Sequence, residues 1–197
     1  MRKVLDEQTI CAAALALIDR EGTFSLAQLA SHLGVRAPSL YTHVPNKDAI
    51  VEGVRHLVVS GIDYSAFALE PWDAALGAWA RSYLDAFAAH PNTIRLLATT
   101  PVRADALLRQ YEAAVACLLR AGWPSSEVMH VITAVESYVL GSALDVAAPP
   151  SMVDSSSEYQ LLNRVVAAQS PSRARESFEA GLTALLTGFT QRLKTVT

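Results

Sequence analysis

Between Asp6 and Asn46, helix-starting and helix-ending residues alternate so closely that the chain has room only for short helices joined by tight turns. Asp6 is placed to cap a helix whose apolar positions, Ile10, Ala13, Ala14, Leu17 and Ile18, follow the i, i+3, i+4, i+7, i+8 pattern of one buried stripe. Gly22 supplies the stop. Ser25 opens a second helix, with Gln28 three residues later to complete a capping box. Leu26, Leu29, Ala30 and Leu33 form its stripe, and Gly34 ends it. Pro38 suits the first turn of a third helix, Arg36–Val44, with Leu40 and Val44 facing inward and Pro45 as its stop. Asn46 caps a fourth helix with Ile50, Val54, Leu57 and Val58 on one side.

The rest of the chain reads in the same way. Residues 71–90 form a helix between Pro71 and Pro91, and a short segment, Thr93–Thr99, runs up to Pro101. Longer helices are expected from about 102 to 121, closed by Gly122, and from Ser125 to Ala147, before Pro149 and Pro150. Residues 149–157 are rich in Pro and Ser and read as a mobile loop, followed by helices over 158–168 and 172–194. No strand pattern emerges. The expected fold class is all-α, with residues 1–45 as one small domain, 46–62 as a connecting helix and 63–197 as a larger helical body.

Composition supports this reading. Half of the 197 residues (51%) are hydrophobic and 18% are charged, enough apolar surface for a substantial core. The formal net charge is −3. In residues 1–62 six Lys and Arg balance six Asp and Glu, so the acidic excess sits wholly in the body and a nucleic-acid partner of the first segment is not excluded. Cys11 and Cys117 stand far apart in helical stretches and read as ordinary buried thiols, not metal ligands. The start MRKVLDEQ lacks a signal-peptide core, and no apolar run reaches membrane-spanning length. A cytoplasmic protein without cofactor or membrane contact is expected.

The second and third helices carry the most specific chemistry. With Leu29, Leu33, Val35, Leu40 and Val44 forming the joint, the third helix exposes Arg36, Ala37, Ser39, Thr42 and His43. Small and hydrogen-bonding side chains of this kind suit the major groove, where Arg reads guanine, hydroxyls read either edge and methyl groups meet thymine. The same pattern would also serve a plain helical hairpin.

The segment resembles the tetracycline-repressor (TetR) family of bacterial regulators. The elements that match are Leu29-Ala30, Leu33-Gly34-Val35, Pro38-Ser39-Leu40-Tyr41, His43-Val44 and Asn46-Lys47, within about residues 8–60. The resemblance implies a double-stranded DNA operator as partner. It places Arg36, Ala37, Pro38, Ser39, Thr42 and His43 against bases, Tyr41 and Lys47 on phosphates, and Ser25 at the helix cap and near phosphate. The Tyr41 ring could instead pack under the turn. It also implies a homodimer, with recognition helices roughly 34–36 Å apart.

For the dimer, Phe178, Leu182, Leu185, Leu186, Phe189 and Leu193 form a stripe on the last helix, with Gly181 and Gly188 beside it. The 125–147 helix adds Val128, Val131, Ile132, Val135 and Val139, with small residues Ala134, Gly141 and Ser142. Two such helices from each chain would make a four-helix interface; the other possibility is that the stripes bury within one chain.

The C-terminal half resembles, more weakly, the family's drug-binding domains, through Trp72…Leu76, Leu119…Gly122-Trp123, Ile132–Val135, Leu140–Leu144, Gly181-Leu182 and Gly188-Phe189. A small-molecule inducer is therefore expected among the middle helices, with Trp79, Tyr83, Phe87, Leu97, Tyr111, Val115, Met129, Thr133 and Glu136 lining a largely apolar cavity. Core packing is the other reading of each. By the same alignment, Leu96 replaces the family's drug-magnesium histidine and Asp63 replaces a second drug contact, while Thr99 and Asp145 stay polar. Tetracycline-magnesium is thus not the expected inducer. The function implied is ligand-responsive transcriptional regulation. A helical interaction protein with a vestigial helix-turn-helix is the alternative. An enzyme is less favoured, since G-x-S-x-G, phosphate loops and H-E-x-x-H are lacking and His32, His43, His56, His90 and His130 share no metal-like spacing.

Overall fold

The computed structural model describes residues 5–103, 105–149, 153 and 158–196. Most of the Pro/Ser-rich stretch 149–157 therefore lies outside the described residues. The elements, in order, are α1 (Glu7–Glu21), α2 (Leu26–Leu33), α3 (Ala37–Leu40), α4 (Lys47–Val59), α5 (Trp72–Ala88), α6 (Ile94–Ala98), α7 (Asp105–Arg120), α8 (Ser125–Ala147), α9 (Gln160–Ala167) and α10 (Arg173–Val196). Short 3₁₀ turns occupy Tyr64–Ala68 and Pro91–Thr93, and the described residues contain no strand. The fold is all-α.

Local chemistry sets the first four helices. An Asp6 carboxylate oxygen accepts the Thr9 N–H at 2.7 Å, and Asn46 Oδ1 accepts that of Ala49 at 2.9 Å, each satisfying one of the orphan donors at a helix start. The α2 box is reciprocal: the Gln28 N–H donates to Ser25 Oγ at 3.1 Å and the Ser25 N–H to Gln28 Oε1 at 2.9 Å. Gly22 and Gly34 both adopt the left-handed conformation, with φ of 76° and 69°, that ends α1 and α2.

The third helix is shorter than the expected Arg36–Val44. Regular α-helix covers only Ala37–Leu40, and Tyr41, Thr42 and His43 continue as tight turns. Two effects end it. Thr42 Oγ1 donates to the Ser39 carbonyl at 2.7 Å, and Pro45 has no N–H with which to continue.

α1 packs closely against α4. A Cβ on Gly53 would stand 2.2 Å from Cys11 Sγ, so only glycine admits this packing. One apolar core then runs without interruption from Ile10 through Val54 and Val58 on α4 to Leu76, Trp79, Ile132 and Leu182 in the body. α1 is tied to the body a second time, through Asp19: its carboxylate lies 2.9 Å from His90 Nδ1, and its carbonyl accepts from Asn92 Nδ2 at 2.8 Å.

In the body, α8 packs between α5 and α10. Tyr138 of α8 stacks on Phe178 at 5.7 Å and donates to the Phe178 carbonyl at 2.9 Å. Its hydroxyl occupies the space above Gly181, where a Cβ would stand 2.1 Å from that oxygen. Ion pairs fasten the outer face of α10: Arg173–Asp145, Arg175–Asp85, Arg81–Glu179 and Arg192–Glu127, all at 2.7–2.9 Å.

These contacts correct the expectation for the stripes. Val128, Ile132, Val135, Val139, Phe178 and Leu182 are all buried within the single chain, and Gly181 serves the internal contact with Tyr138. Leu185 and Phe189 are half-buried, and Phe189 packs edge-on against Trp123 at 6.2 Å. A helix facing a protein core and one facing a partner carry the same apolar pattern, and here the core takes it. Of the expected set, Ala134, Gly141 and Gly188 are exposed, and nothing lies within 4 Å of where a Cβ on Gly141 or Gly188 would be.

Candidate DNA-binding surface and ligand cavity

The turn that follows α2 presents one contiguous set of side chains. Arg36, Pro38, Tyr41, Thr42, His43 and Lys47 are exposed, and Ala37 and Ser39 are half-buried. Leu40 and Val44 are buried beneath them as part of the apolar core. Tyr41 is 49% exposed, so its ring stands out from the surface and does not pack under the turn. Lys47 Nζ sits 5.0 Å above the ring of the buried Phe24, a cation–π contact that fixes where the ammonium stands. Phe24 was not singled out from the sequence, because an aromatic residue before a helix cap gives no sign of its partner 23 positions on. Ser25 is exposed at the start of α2, its backbone and hydroxyl both engaged in the capping box.

The second site is a cavity of about 250 Å³ between α4, α5, α6, α7 and α8. Six of the expected ligand-contacting residues come together there: Tyr83, Phe87, Leu97, Tyr111, Thr133 and Glu136. The Tyr111 hydroxyl donates to Glu136 Oε1 at 2.8 Å. Burial pushes the Glu136 carboxyl above its ordinary range and this hydrogen bond pulls it partly back. Burial, with the Glu136 charge next in weight, pushes both the Tyr83 and Tyr111 phenols up, so both stay protonated at neutral pH.

The other seven expected ligand-contacting residues lie elsewhere. Asp63 caps the Tyr64–Ala68 turn, accepting from Ser65 N and Oγ at 3.0 and 2.6 Å. Trp79 packs in the core between Phe67 and Tyr83, with ring centroids 5.4 and 5.2 Å away. Leu96 and Val115 are half-buried against the core, and Met129 is half-exposed on α8. Thr99 Oγ1 donates to the Arg95 carbonyl at 2.8 Å, and Asp145 is held by Arg173.

Sequence reasoning missed Arg55. It lies on α4, only 4% exposed, and lines the cavity. Its guanidinium donates to Glu52 Oε1 at 3.0 Å, to the Leu97 carbonyl at 3.1 Å and to the Thr100 carbonyl at 2.9 Å. The helix that leaves this exposed turn is thereby bonded to the cavity wall at the end of α6. An arginine in the middle of an apolar helix was the one available signal, and its partners lie 42 and 45 residues away.

Residues 68–193 match the family model described as the tetracyclin repressor-like C-terminal domain. The chain belongs to the tetracycline-repressor-like family. It is a ligand-responsive transcriptional regulator, and its relatives are regulators, not enzymes. The class E tetracycline repressor protein of Escherichia coli is 27% identical over 192 residues, covering 93% of this chain and 90% of that one. The class A protein from transposon 1721, also of Escherichia coli, is 25% identical over 199 residues, covering 95% and 92%. Among solved structures, TetR from Acinetobacter baumannii AYE superposes with a TM-score of 0.71 at 25% identity, over 95% of this chain and 98% of that one. A possible TetR family transcriptional regulator from Streptomyces coelicolor A3(2) reaches 0.78 at 22% identity, covering 94% and 99%, and so shares the fold. Among the described residues of this TetR-like chain, no helix is long and apolar enough to cross a membrane.

Proposed function

We propose that this chain is a repressor that holds a palindromic operator as a homodimer and lets it go when a small molecule fills the α4–α8 cavity. The observation that carries the proposal is the Arg55 bridge: one side chain lines the cavity and belongs to the helix that begins at the DNA-facing turn. A ligand that displaces the Leu97–Thr100 segment moves α4, and with it Tyr41 and Lys47. The ligand needs only to bind that displaced state better than the DNA-binding one.

Arg36, Ala37, Pro38, Ser39, Thr42 and His43 act on bases in this account, and Ser25, Tyr41 and Lys47 on phosphates. The homodimer is supported by surfaces left open in the single chain. On α10, Ala180, Ala184, Thr187, Gly188 and Gln191 form one exposed face of mainly small residues that permits a close helix crossing. On α8, Met129 and Leu144 are exposed, and on α9 no residue is buried, with Leu161 73% exposed. The inducer is small and largely apolar, and is not tetracycline-magnesium, given Leu96 and Asp63.

The test is a gel shift on DNA flanking the chain's own gene, paired with sedimentation analysis of the free protein. Sequence-selective binding by a dimer is the expected result. Binding indifferent to sequence, or a monomer at micromolar concentration, contradicts the proposal.

A further inference from the structure

Among the described residues, only two charged side chains, Arg55 and Glu136, line the cavity, and they are in opposite situations. Arg55 is already neutralised by Glu52 and bonded to two carbonyls. Glu136 forms no ion pair among the described residues and is held by one neutral phenol, that of Tyr111. Near it, Tyr83 is buried and lines the cavity, and no described residue hydrogen-bonds its hydroxyl. Tyr83 and Phe87 stand with ring centroids 4.9 Å apart, giving an aromatic wall on the α5 side. Leu97, Val102, Leu107 and Leu140 make the remainder apolar.

A half-buried carboxylate, a phenol that no described residue engages and aromatic faces are together a receptor for a protonated nitrogen. An ammonium donates to the free Glu136 oxygen in a charge-assisted bond, donates again to the Tyr83 oxygen and meets the ring faces by cation–π attraction. An anionic ligand meets the Glu136 charge with no unengaged cation to oppose it. The volume, about 250 Å³, falls below the range of about 300–1,000 Å³ that holds drug-sized ligands, so the body attached to the nitrogen is compact.

We propose that the ligand of this cavity is a compact aromatic amine, bound as its cation to Glu136 and Tyr83. The proposal rests on the ligand-responsive reading given above and names the chemistry of its effector.

Calorimetric titration of the full chain with three near-isosteric probes tests it: 2-phenylethylamine, 2-phenylethanol and 3-phenylpropanoate. At pH 7.5 the amine should bind at least tenfold more tightly than either of the others. In Glu136→Gln, which keeps the shape and an acceptor for Tyr111, the amine should lose at least tenfold while the alcohol stays within threefold. Lowering the pH towards 5 should weaken the amine in the native protein and leave the alcohol unchanged. Burial holds the facing Tyr111 and Tyr83 phenols protonated there, and the raised Glu136 carboxyl is the group that takes up the proton. Tighter or equal binding of alcohol or acid overturns the amine assignment, as does an amine affinity unchanged in Glu136→Gln. No binding by any of the three also overturns it. Operator binding and its release are read separately by gel shift, so a failed amine assignment leaves the regulator proposal standing on its own test.

Discussion

Arg55 and Leu97, 42 positions apart, are joined by a buried hydrogen bond of 3.1 Å from the guanidinium Nη1 to the carbonyl oxygen. The bond couples α4, which follows the turn proposed to face DNA, to the end of α6, which forms part of the cavity wall. Arginine suits the position because its planar fork reaches Glu52, Leu97 and Thr100 at once, which the single ammonium of lysine does not.

Arg55→Met removes one partner from a buried cluster and leaves the Glu52 carboxylate and two carbonyls without donors. The expected cost is about 3 kcal/mol of stability, read by urea unfolding. The coupling should fail as well: the variant, where folded, binds operator DNA but no longer releases it on ligand addition. Arg55→Lys should not restore release. Full inducibility in either variant counts against Arg55 as the link.

Gly53→Ala places a methyl group 2.2 Å from Cys11 Sγ, with the Cys11 Cβ at 3.1 Å. Overpacking of this kind costs about 1–3 kcal/mol, and thermal melting should show it. Removing the sulfur in a Gly53→Ala/Cys11→Ala double variant should recover part of the loss. Equal melting of wild type and Gly53→Ala contradicts the described α1–α4 packing.

Glu136 links stability to pH. Its carboxyl is raised in the folded protein, mainly by burial, so between its unfolded value near 4.5 and the higher folded value the native state binds more protons than the unfolded one. Stability should therefore fall as pH rises through that window and level off above it. Glu136→Gln should abolish this component and be the more stable protein at pH 7. Urea titrations at pH 4 to 8 measure both curves; a Gln variant with the wild-type slope refutes the assignment.

The two glycines of α10 should behave oppositely. Gly181→Ala collides with the Tyr138 hydroxyl, so it should lower the melting temperature of the chain itself. Gly188→Leu meets open space within the protomer and should leave its fold intact while blocking the close crossing of two α10 helices. Sedimentation velocity should then report monomer for Gly188→Leu. An unchanged dimer removes this face from the interface.

The parts of the fold that are legible in sequence are those decided within one helical turn. Asp6, the Ser25–Gln28 box, Asn46, Gly22 and Gly34 all act on residues three or four positions away, so their meaning survives without the third dimension. Arg55, Gly53 and Gly181 were unreadable for the opposite reason: their partners, Leu97 and Thr100, Cys11, and Tyr138, are distant in the chain. The apolar stripe on α8 was visible, but which side of the protein it faced was not, because a core and an interface demand the same periodicity. The end of α3 was misjudged where the Thr42 hydroxyl competes for the Ser39 carbonyl.

The most direct test of the central claim is the salt dependence of operator binding by wild type and two surface variants. The wild type should bind DNA flanking its own gene selectively, with affinity falling steeply as salt rises. Lys47→Ala should reduce the logarithmic slope by about 1, and Tyr41→Ala should abolish the selective complex while sedimenting as the wild-type dimer. Selective binding that persists unchanged in Tyr41→Ala, with an unaltered salt slope in Lys47→Ala, would contradict the placement of the DNA on this surface.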